Sequence, residues 1–362
     1  MSDDTCLAVR ITPGRKDSAV LEPYPVRSPG RGELLLEALE VGICGTDLEI
    51  VSGLYGEAPK GEEKLVIGHE SLLRVVEAGE DAGDFQPGDL AIGIVRRPCD
   101  DMCPACAQGR WDLCVTGHYR ERGIARLDGF MRQRLVEAAS FVVHVPESLR
   151  RTGVLLEPLT IVEKAVEEAL SARPSFLAAK RALVTGAGPV GLLAALLLIS
   201  KGLEVWVLDR VDASGPKGSI VFEAGGRYVD DSSTPLETAV GDVRFDVAVE
   251  ASGYAPLLFR AANLLARDGV LVLTGVTGGH HTISVDANLL NTDMVLENQV
   301  MMGSVNAARP HYEAAVRDME AFRRRFGTLP ERLITRRVPL REFQSALSRT
   351  PDDIKAVLEV SA

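Results

Sequence analysis

The stretch from Arg181 to Asp209, RALVTGAGPVGLLAALLLISKGLEVWVLD, constrains this chain more than any other. It reads as a short apolar strand, a glycine-rich turn, an apolar helix and a second apolar strand ending in an acid, which is one complete βαβ unit. Gly186 permits the tight turn after the strand, Gly188 lets the backbone come close to a pyrophosphate, and Gly191 lets the helix pack tightly on the sheet. Pro189 and Val190 open that helix, whose free N-terminal amides suit phosphate. Glycine is common here, at 34 of 362 residues, and a plain strand-to-helix turn reads much the same. The context favours a dinucleotide site: a strand precedes, a helix follows, and Asp209 stands about twenty residues on, where a ribose-binding acid belongs. Further strands at 246–250 (DVAVE) and 270–274 (VLVLT), with a helical stretch at 255–266 between them, predict a doubly wound parallel sheet covered on both faces.

At this length about two domains are expected. The net charge of −11 argues against nucleic acid or an anionic membrane surface as partner. No apolar run approaches the roughly 18 residues needed to span a bilayer. The stretch MSDDTCLAVR lacks the basic start and apolar core of a secretory signal. A cytoplasmic setting is therefore expected, where thiols stay reduced and clustered cysteines read as metal ligands.

Proline and glycine recur at short intervals up to about residue 40, and LLLEALEVGI, LVIGHESLLRVVEAG and PGDLAIGIV come after them as extended segments. They predict a β-rich, barrel-like first domain over 1–160. Helical spacing takes over near Pro158 in EPLTIVEKAVEEALSA and leads into a dinucleotide-binding domain at 161–307. The helix HYEAAVRDMEAFRRRF and the strand-like LITRRVPL differ from the nucleotide half, so 308–362 is expected to return to the first domain.

Three separated segments offer metal ligands: Cys44 in VGICGTD, His69 and Glu70 in IGHE, and Glu157 in LLEP. Each alone has an ordinary structural explanation, such as a buried cysteine behaving as a small hydrophobe or Glu157 capping the helix that starts near Pro158. Together they supply thiolate, imidazole and carboxylate, a set that suits a catalytic zinc with one open position. Asp47 can accept the second ring N–H of His69, and the Thr46 hydroxyl can pass a proton from a metal-bound alcohol. The run PCDDMCPACAQGRWDLC holds Cys99, Cys103, Cys106 and Cys114, and four thiols so close predict a closed structural zinc. Asp209 at its strand end suits a free ribose 2′-hydroxyl and repels a 2′-phosphate. Arg210 next to it can stack on adenine, pair with a phosphate or stay a solvated cation. NAD with some NADP tolerance is expected.

The motifs CGTD, GHE about 25 residues later, and GAGPVG after a cysteine cluster resemble the zinc-dependent medium-chain dehydrogenase superfamily. Within it, IGHES, YRERGIARLDGFM, LLEPLTIVEKA and GSVNA resemble the archaeal-type glucose dehydrogenases, over nearly the whole chain. The resemblance implies a GroES-like catalytic domain together with a Rossmann domain. It also implies zinc-assisted hydride transfer from the hemiacetal hydroxyl of glucose or a related aldose to NAD(P)+, giving the lactone. Cys44 and His69 match the first two zinc ligands, Glu70 a carboxylate that binds the metal directly or through water, Glu157 the glucose-group ligand, and Thr46 the proton-relay hydroxyl. Glu121 and Asn306 match positions that contact sugar hydroxyls near the nicotinamide. A histidine that some members carry ten residues before that asparagine is Leu296 here, which keeps another polyol, a cyclitol or a secondary alcohol open as substrate. A metal-free, quinone-reductase-like NADPH binder has no use for Cys44, His69 and Glu157 together.

The superfamily spaces its first two lobe cysteines two residues apart, whereas three residues separate Cys99 from Cys103. Either the loop bulges or Asp100 replaces Cys99; Cys99 is favoured as the better zinc donor. NADP-using glucose dehydrogenases tend to carry two arginines where this chain has Arg210 and Val211. With aromatic residues at 5%, no sugar-stacking platform is evident, and selectivity is expected to rest on Glu121 and Asn306. A homo-oligomer, dimer or tetramer, is expected.

Overall fold

The computed structural model describes residues 5–276, 282–348, 350 and 353–361. One compact unit comprises Met1–Glu157, Asn306–Glu320 and Ile334–Ala362, and the other Pro158–Val305 and Ala321–Leu333. Residues 321–333 thus belong with the dinucleotide half, whereas the sequence sent all of 308–362 back to the first domain. Their side chains explain it: Arg325 donates to the Ser200 carbonyl at 3.1 Å and Arg332 pairs with Glu223 at 2.7 Å.

The first unit is β-rich. Its strand Glu33–Gly42 alternates, with Leu34, Leu36 and Ala38 buried between more exposed neighbours, as a half-buried strand must. The sheet around it runs Val142–Val145, Leu90–Gly93, Glu70–Ala78, Glu33–Gly42, Lys355–Glu359, Ile334–Pro339, and Arg134–Ala138 also pairs with Glu33–Gly42. Val9, Ile11, Leu36, Leu73, Phe130, Met131 and Leu358 share its core, and each such side chain contributes about 1.5–3 kcal/mol when fully buried. The late strand Lys355–Glu359 brings distant parts of the chain together. Gly42 pairs with Val357 on one side and with Glu70 on the other, so a residue near the C-terminus arrives beside the GHE segment.

The second unit is a six-stranded parallel sheet in the order Arg227–Asp230, Glu204–Asp209, Arg181–Thr185, Phe245–Glu250, Leu265–Leu273, Val300–Gly303. Expected strands at 246–250 and 270–274 lie in Phe245–Glu250 and Leu265–Leu273, and the helix between them is Ala255–Ala262. The chain direction of the winding reverses between Arg181–Thr185 and Phe245–Glu250, the switch point outside whose carboxyl ends such sheets bind ligands. The architecture is the expected doubly wound α/β sheet plus a GroES-like β unit. No helix among the described residues is long and apolar enough to cross a membrane.

The three motif glycines differ in their surroundings. Gly186 has φ +96°, a conformation L side chains rarely adopt, and a Cβ on Gly191 would lie 1.8 Å from the Gly186 carbonyl oxygen. Gly188, which caps the helix Pro189–Ser200, faces open space, with nothing within 4 Å of a built Cβ.

Candidate active site

Cys44 caps the N-terminus of the helix Gly45–Val51 in a capping box. Its Sγ accepts from the Thr46 amide at 3.2 Å, and its own amide donates to Asp47 Oδ2 at 2.9 Å. The cap fixes Asp47 so that its other oxygen faces His69 Nδ1 at 3.6 Å; neither of these two buried atoms has a hydrogen-bond partner among the described residues. The opposite ring nitrogen, Nε2, lies 3.0 Å from Cys44 Sγ. His69 therefore turns Nδ1 towards Asp47 and presents Nε2 beside the thiol. Thr46 sits in the first turn of the same helix. Burial opposes a charged His69, yet the neighbouring Cys44 and Asp47 charges outweigh it and raise the imidazole well above its usual range. The same negative field favours a metal cation.

His69 also lies within 4.8 Å, ligand atom to ligand atom, of Glu70 and Glu157. Glu157 occupies the first turn of the helix Leu156–Ser171, and burial pushes its carboxyl up to about 7 despite His69 nearby. Glu70 gives both oxygens to Lys355 Nζ, at 2.7 and 2.5 Å, and Lys355 also donates to the Ile43 carbonyl at 3.1 Å. Both partners are almost wholly buried. A Cβ on Gly42 would come within 2.1 Å of Glu70 Oε2, so bare backbone there is what admits the pair. Neither Lys355 nor Gly42 figured among the expected site residues.

The four lobe cysteines form a second cluster, their sulfurs within 4.8 Å of one another. The Cys103 amide donates to Cys99 Sγ at 3.3 Å and the Cys99 amide to Cys106 Sγ at 3.4 Å. Cys99, rather than Asp100, faces the other thiols: the Asp100 side chain is 86% exposed and pairs with Arg120. Met102, in the longer spacing between Cys99 and Cys103, has φ +44°. Backbone N–H donors from Cys106 and Val115 pull the Cys103 thiol down to about 6, while burial pushes Cys106 up to about 12. A cation is what would let all four ionise together.

Glu121 and Asn306, far apart in sequence, meet. Glu121 Oε1 accepts from Asn306 Nδ2 at 2.7 Å and from Arg96 Nε and Nη2 at 3.0 and 2.9 Å. The Arg96 guanidinium lies over the Tyr119 ring at 3.8 Å. A cavity of about 340 Å³ adjoins Glu121, walled by Tyr55 and Tyr119 among others; these tyrosines and Arg96 were not among the expected residues. A larger cavity of about 750 Å³ opens around Phe85, His144 and Arg309 and holds none of the expected residues.

In the second unit Asp209 ties the glycine loop to its strand. Its Oδ2 accepts from the Ala187 amide at 2.9 Å and from Lys217 Nζ at 3.2 Å, and its Oδ1 from the Arg210 amide at 2.7 Å. Arg210 itself is exposed. Burial first, and then the carboxylates of Asp209, Asp230 and Asp212, push the Tyr228 phenol up. Leu296 is 64% exposed at the end of the helix Ala287–Leu296.

Residues 30–147 match the family description "Alcohol dehydrogenase GroES-like domain" and residues 150–360 "Glucose dehydrogenase C-terminus". The chain belongs to the glucose dehydrogenase family. It is 40% identical over 358 residues to the glucose 1-dehydrogenase of Methanocella arvoryzae, covering 98% of this chain and 99% of that one. It is 40% identical over 355 residues to that of Thermoproteus tenax, with the same coverage. Among solved structures it is similar to the Haloferax mediterranei glucose dehydrogenase in complex with NADP, Zn and gluconolactone, at a TM-score of 0.89 and 32% identity over 98% of this chain and 99% of that one.

In a chain with this buried pair, Lys355→Met leaves Glu70 buried and unmatched. Breaking such a pair costs about 3–5 kcal/mol. A thermal melt should show a large loss of stability, most of it recovered in Lys355→Met/Glu70→Gln. A single variant as stable as the parent would mean the pair is not held as described.

Proposed function

We propose that the protein oxidises the C1 hydroxyl of an aldose hemiacetal, with D-glucose as reference substrate, to the lactone, using NAD+ or NADP+. The observation that carries this reading is the convergence of Cys44, His69 and Glu157 from three separate segments, in a chain whose solved relative was captured with zinc, NADP and gluconolactone. Cys44 Sγ, His69 Nε2 and a Glu157 oxygen are the proposed ligands of the catalytic zinc. Glu70, paired with Lys355, stands behind them, and Cys99, Cys103, Cys106 and Cys114 hold a second, structural zinc.

Zinc supplies Lewis acidity that lowers the pKa of the substrate hydroxyl, and the nicotinamide supplies the hydride acceptor. The protein's own residues do the rest. Asp47 keeps the proton on Nδ1 of His69, leaving the Nε2 lone pair for the metal. Thr46 takes the proton that leaves the C1 hydroxyl and passes it towards solvent. Glu121 and Asn306 orient the ring hydroxyls. As the C1–H bond breaks, its electron pair goes to the nicotinamide and the lactone carbonyl forms. Gly186 to Gly191 and the helix amides behind them receive the pyrophosphate, with Pro189 and Val190 in its first turn. Asp209 accepts from the ribose 2′-hydroxyl, so NAD+ is the proposed main partner; Lys217 and Arg210 soften the negative field enough for NADP+ to be accepted.

The strand Val300–Gly303 pairs on one side alone among the described residues, and Leu289, Val295 and Leu296 are exposed nearby in sequence. An uncovered sheet edge with apolar surface supports self-association into a dimer or tetramer. Sedimentation should give at least twice the mass of one chain, and a strictly monomeric mass would overturn this. The free thiols suit a reducing, cytoplasmic setting.

Glu157→Gln separates a ligand from a helix cap. As a ligand it should cost roughly tenfold or more in turnover and lower metal content from about two zinc atoms per chain, with little change in melting temperature. Loss of a mere cap would cost about 0.3–1 kcal/mol of stability, with full zinc and normal activity.

A further inference from the structure

The cavity beside Glu121 has the make-up of a sugar subsite. Its volume of about 340 Å³ falls within the range of small-molecule sites, roughly 300–1,000 Å³. Glu121 is buried, and its three donors all fall on Oε1, leaving Oε2 without a hydrogen bond among the described residues. A carboxylate oxygen held rigidly by Arg96 and Asn306, yet itself unspent, is a fixed acceptor waiting for a hydroxyl. Two phenols stand with it on the cavity wall. Arg96 packs on the Tyr119 ring at 3.8 Å, which fixes that ring in place. Tyr55 is half exposed, and burial, Glu121 and Tyr119 together raise its phenol, so its hydroxyl stays a proton donor.

The wall that carries Tyr55 is anchored. The Glu57 amide donates to the Ile124 carbonyl at 3.1 Å, the Arg126 amide to the Glu57 carbonyl at 2.8 Å, and the Arg126 side chain to Glu57 at 2.7 Å. The helix Gly45–Val51 joins this wall to Cys44: seven residues long, it spans about 10 Å. One end of it therefore presents the thiol and the chain leaving the other end forms the cavity.

We propose that Tyr55 and Tyr119 frame the part of the aldose remote from C1, with their rings against its C–H surface and Glu121 Oε2 accepting one of its distal hydroxyls. This inference rests on the functional reading above and adds the residues that select sugar length. Tyrosine suits the task because it joins an apolar face to a polar tip, and a site built around fixed hydroxyl partners discriminates strongly against substrates that leave them unpaired.

The test compares D-glucose with D-xylose, an aldose that forms the same six-membered hemiacetal but lacks the distal C6 hydroxymethyl group. In Tyr55→Ala the ratio of kcat/KM for D-glucose to that for D-xylose should fall by roughly tenfold, mainly through KM for D-glucose. Tyr119→Phe, which keeps the ring under Arg96, should lower the same ratio by a smaller factor. Zinc content and NAD+ affinity, measured alongside, report that the variants are folded. An equal loss for both sugars would mean that the tyrosines only hold the loop, and no loss for either would mean that the cavity is empty during turnover; both results overturn the inference. A parent enzyme that oxidises no aldose overturns the functional reading itself, and this inference with it.

Discussion

Cys44, Asp47, His69, Glu70 and Glu157 crowd one volume of the first unit, and Lys355 pairs with Glu70 there. Burying that much acid is costly unless each charge is matched. The protein meets part of the cost with covalent neighbours and backbone. A helix cap fixes Cys44 and Asp47 together, a glycine at 42 makes room for Glu70, and a strand near the C-terminus returns to place Lys355 against it. Around His69 a thiol, an imidazole nitrogen and a carboxyl raised by burial stand together.

How much of this the sequence carried depended on distance along the chain. The dinucleotide unit was legible because strand, turn, helix and acid are contiguous, and each glycine's role comes from local geometry. The grouping of Cys44, His69 and Glu157 was legible by chemical type, since few other purposes gather a thiol, an imidazole and a carboxylate. Lys355 was not: it lies 285 residues from Glu70, and a lysine in a short apolar strand carries no local sign of being buried. Arg96 was hidden for the same reason, reaching Glu121 across 25 residues of loop and lobe. The choice between Cys99 and Asp100 depended on which of the two side chains the loop turns towards the other thiols, which no spacing rule contains. Low aromatic content concealed the cavity tyrosines, although both stand near glycines in turn-rich segments, GLYGE and GHYRE, the kind of loop that presents a side chain to a ligand.

The long helix Arg309–Phe326 shows where pattern reading overreaches. Its amphipathic spacing was plain, but spacing does not say which neighbour each turn packs on. Its first turns belong with the β unit, through partners such as Tyr312, whose hydroxyl accepts from the Val95 amide. Its last turn belongs with the other, through Arg325 and Ser200. Family membership is secure from the matches across the chain, while the assignment of individual ligands and sugar contacts rests on the geometry around His69 and Glu121.

Lactone formation, in this account, needs a metal held by Cys44, His69 and Glu157. The most direct test is to trace D-glucose oxidation by NAD+ in the protein as isolated, after mild chelation, and after stoichiometric zinc is restored. Activity should fall to background as the ion at His69 leaves and return when zinc is added back. Undiminished activity in protein shown to be free of metal would contradict it.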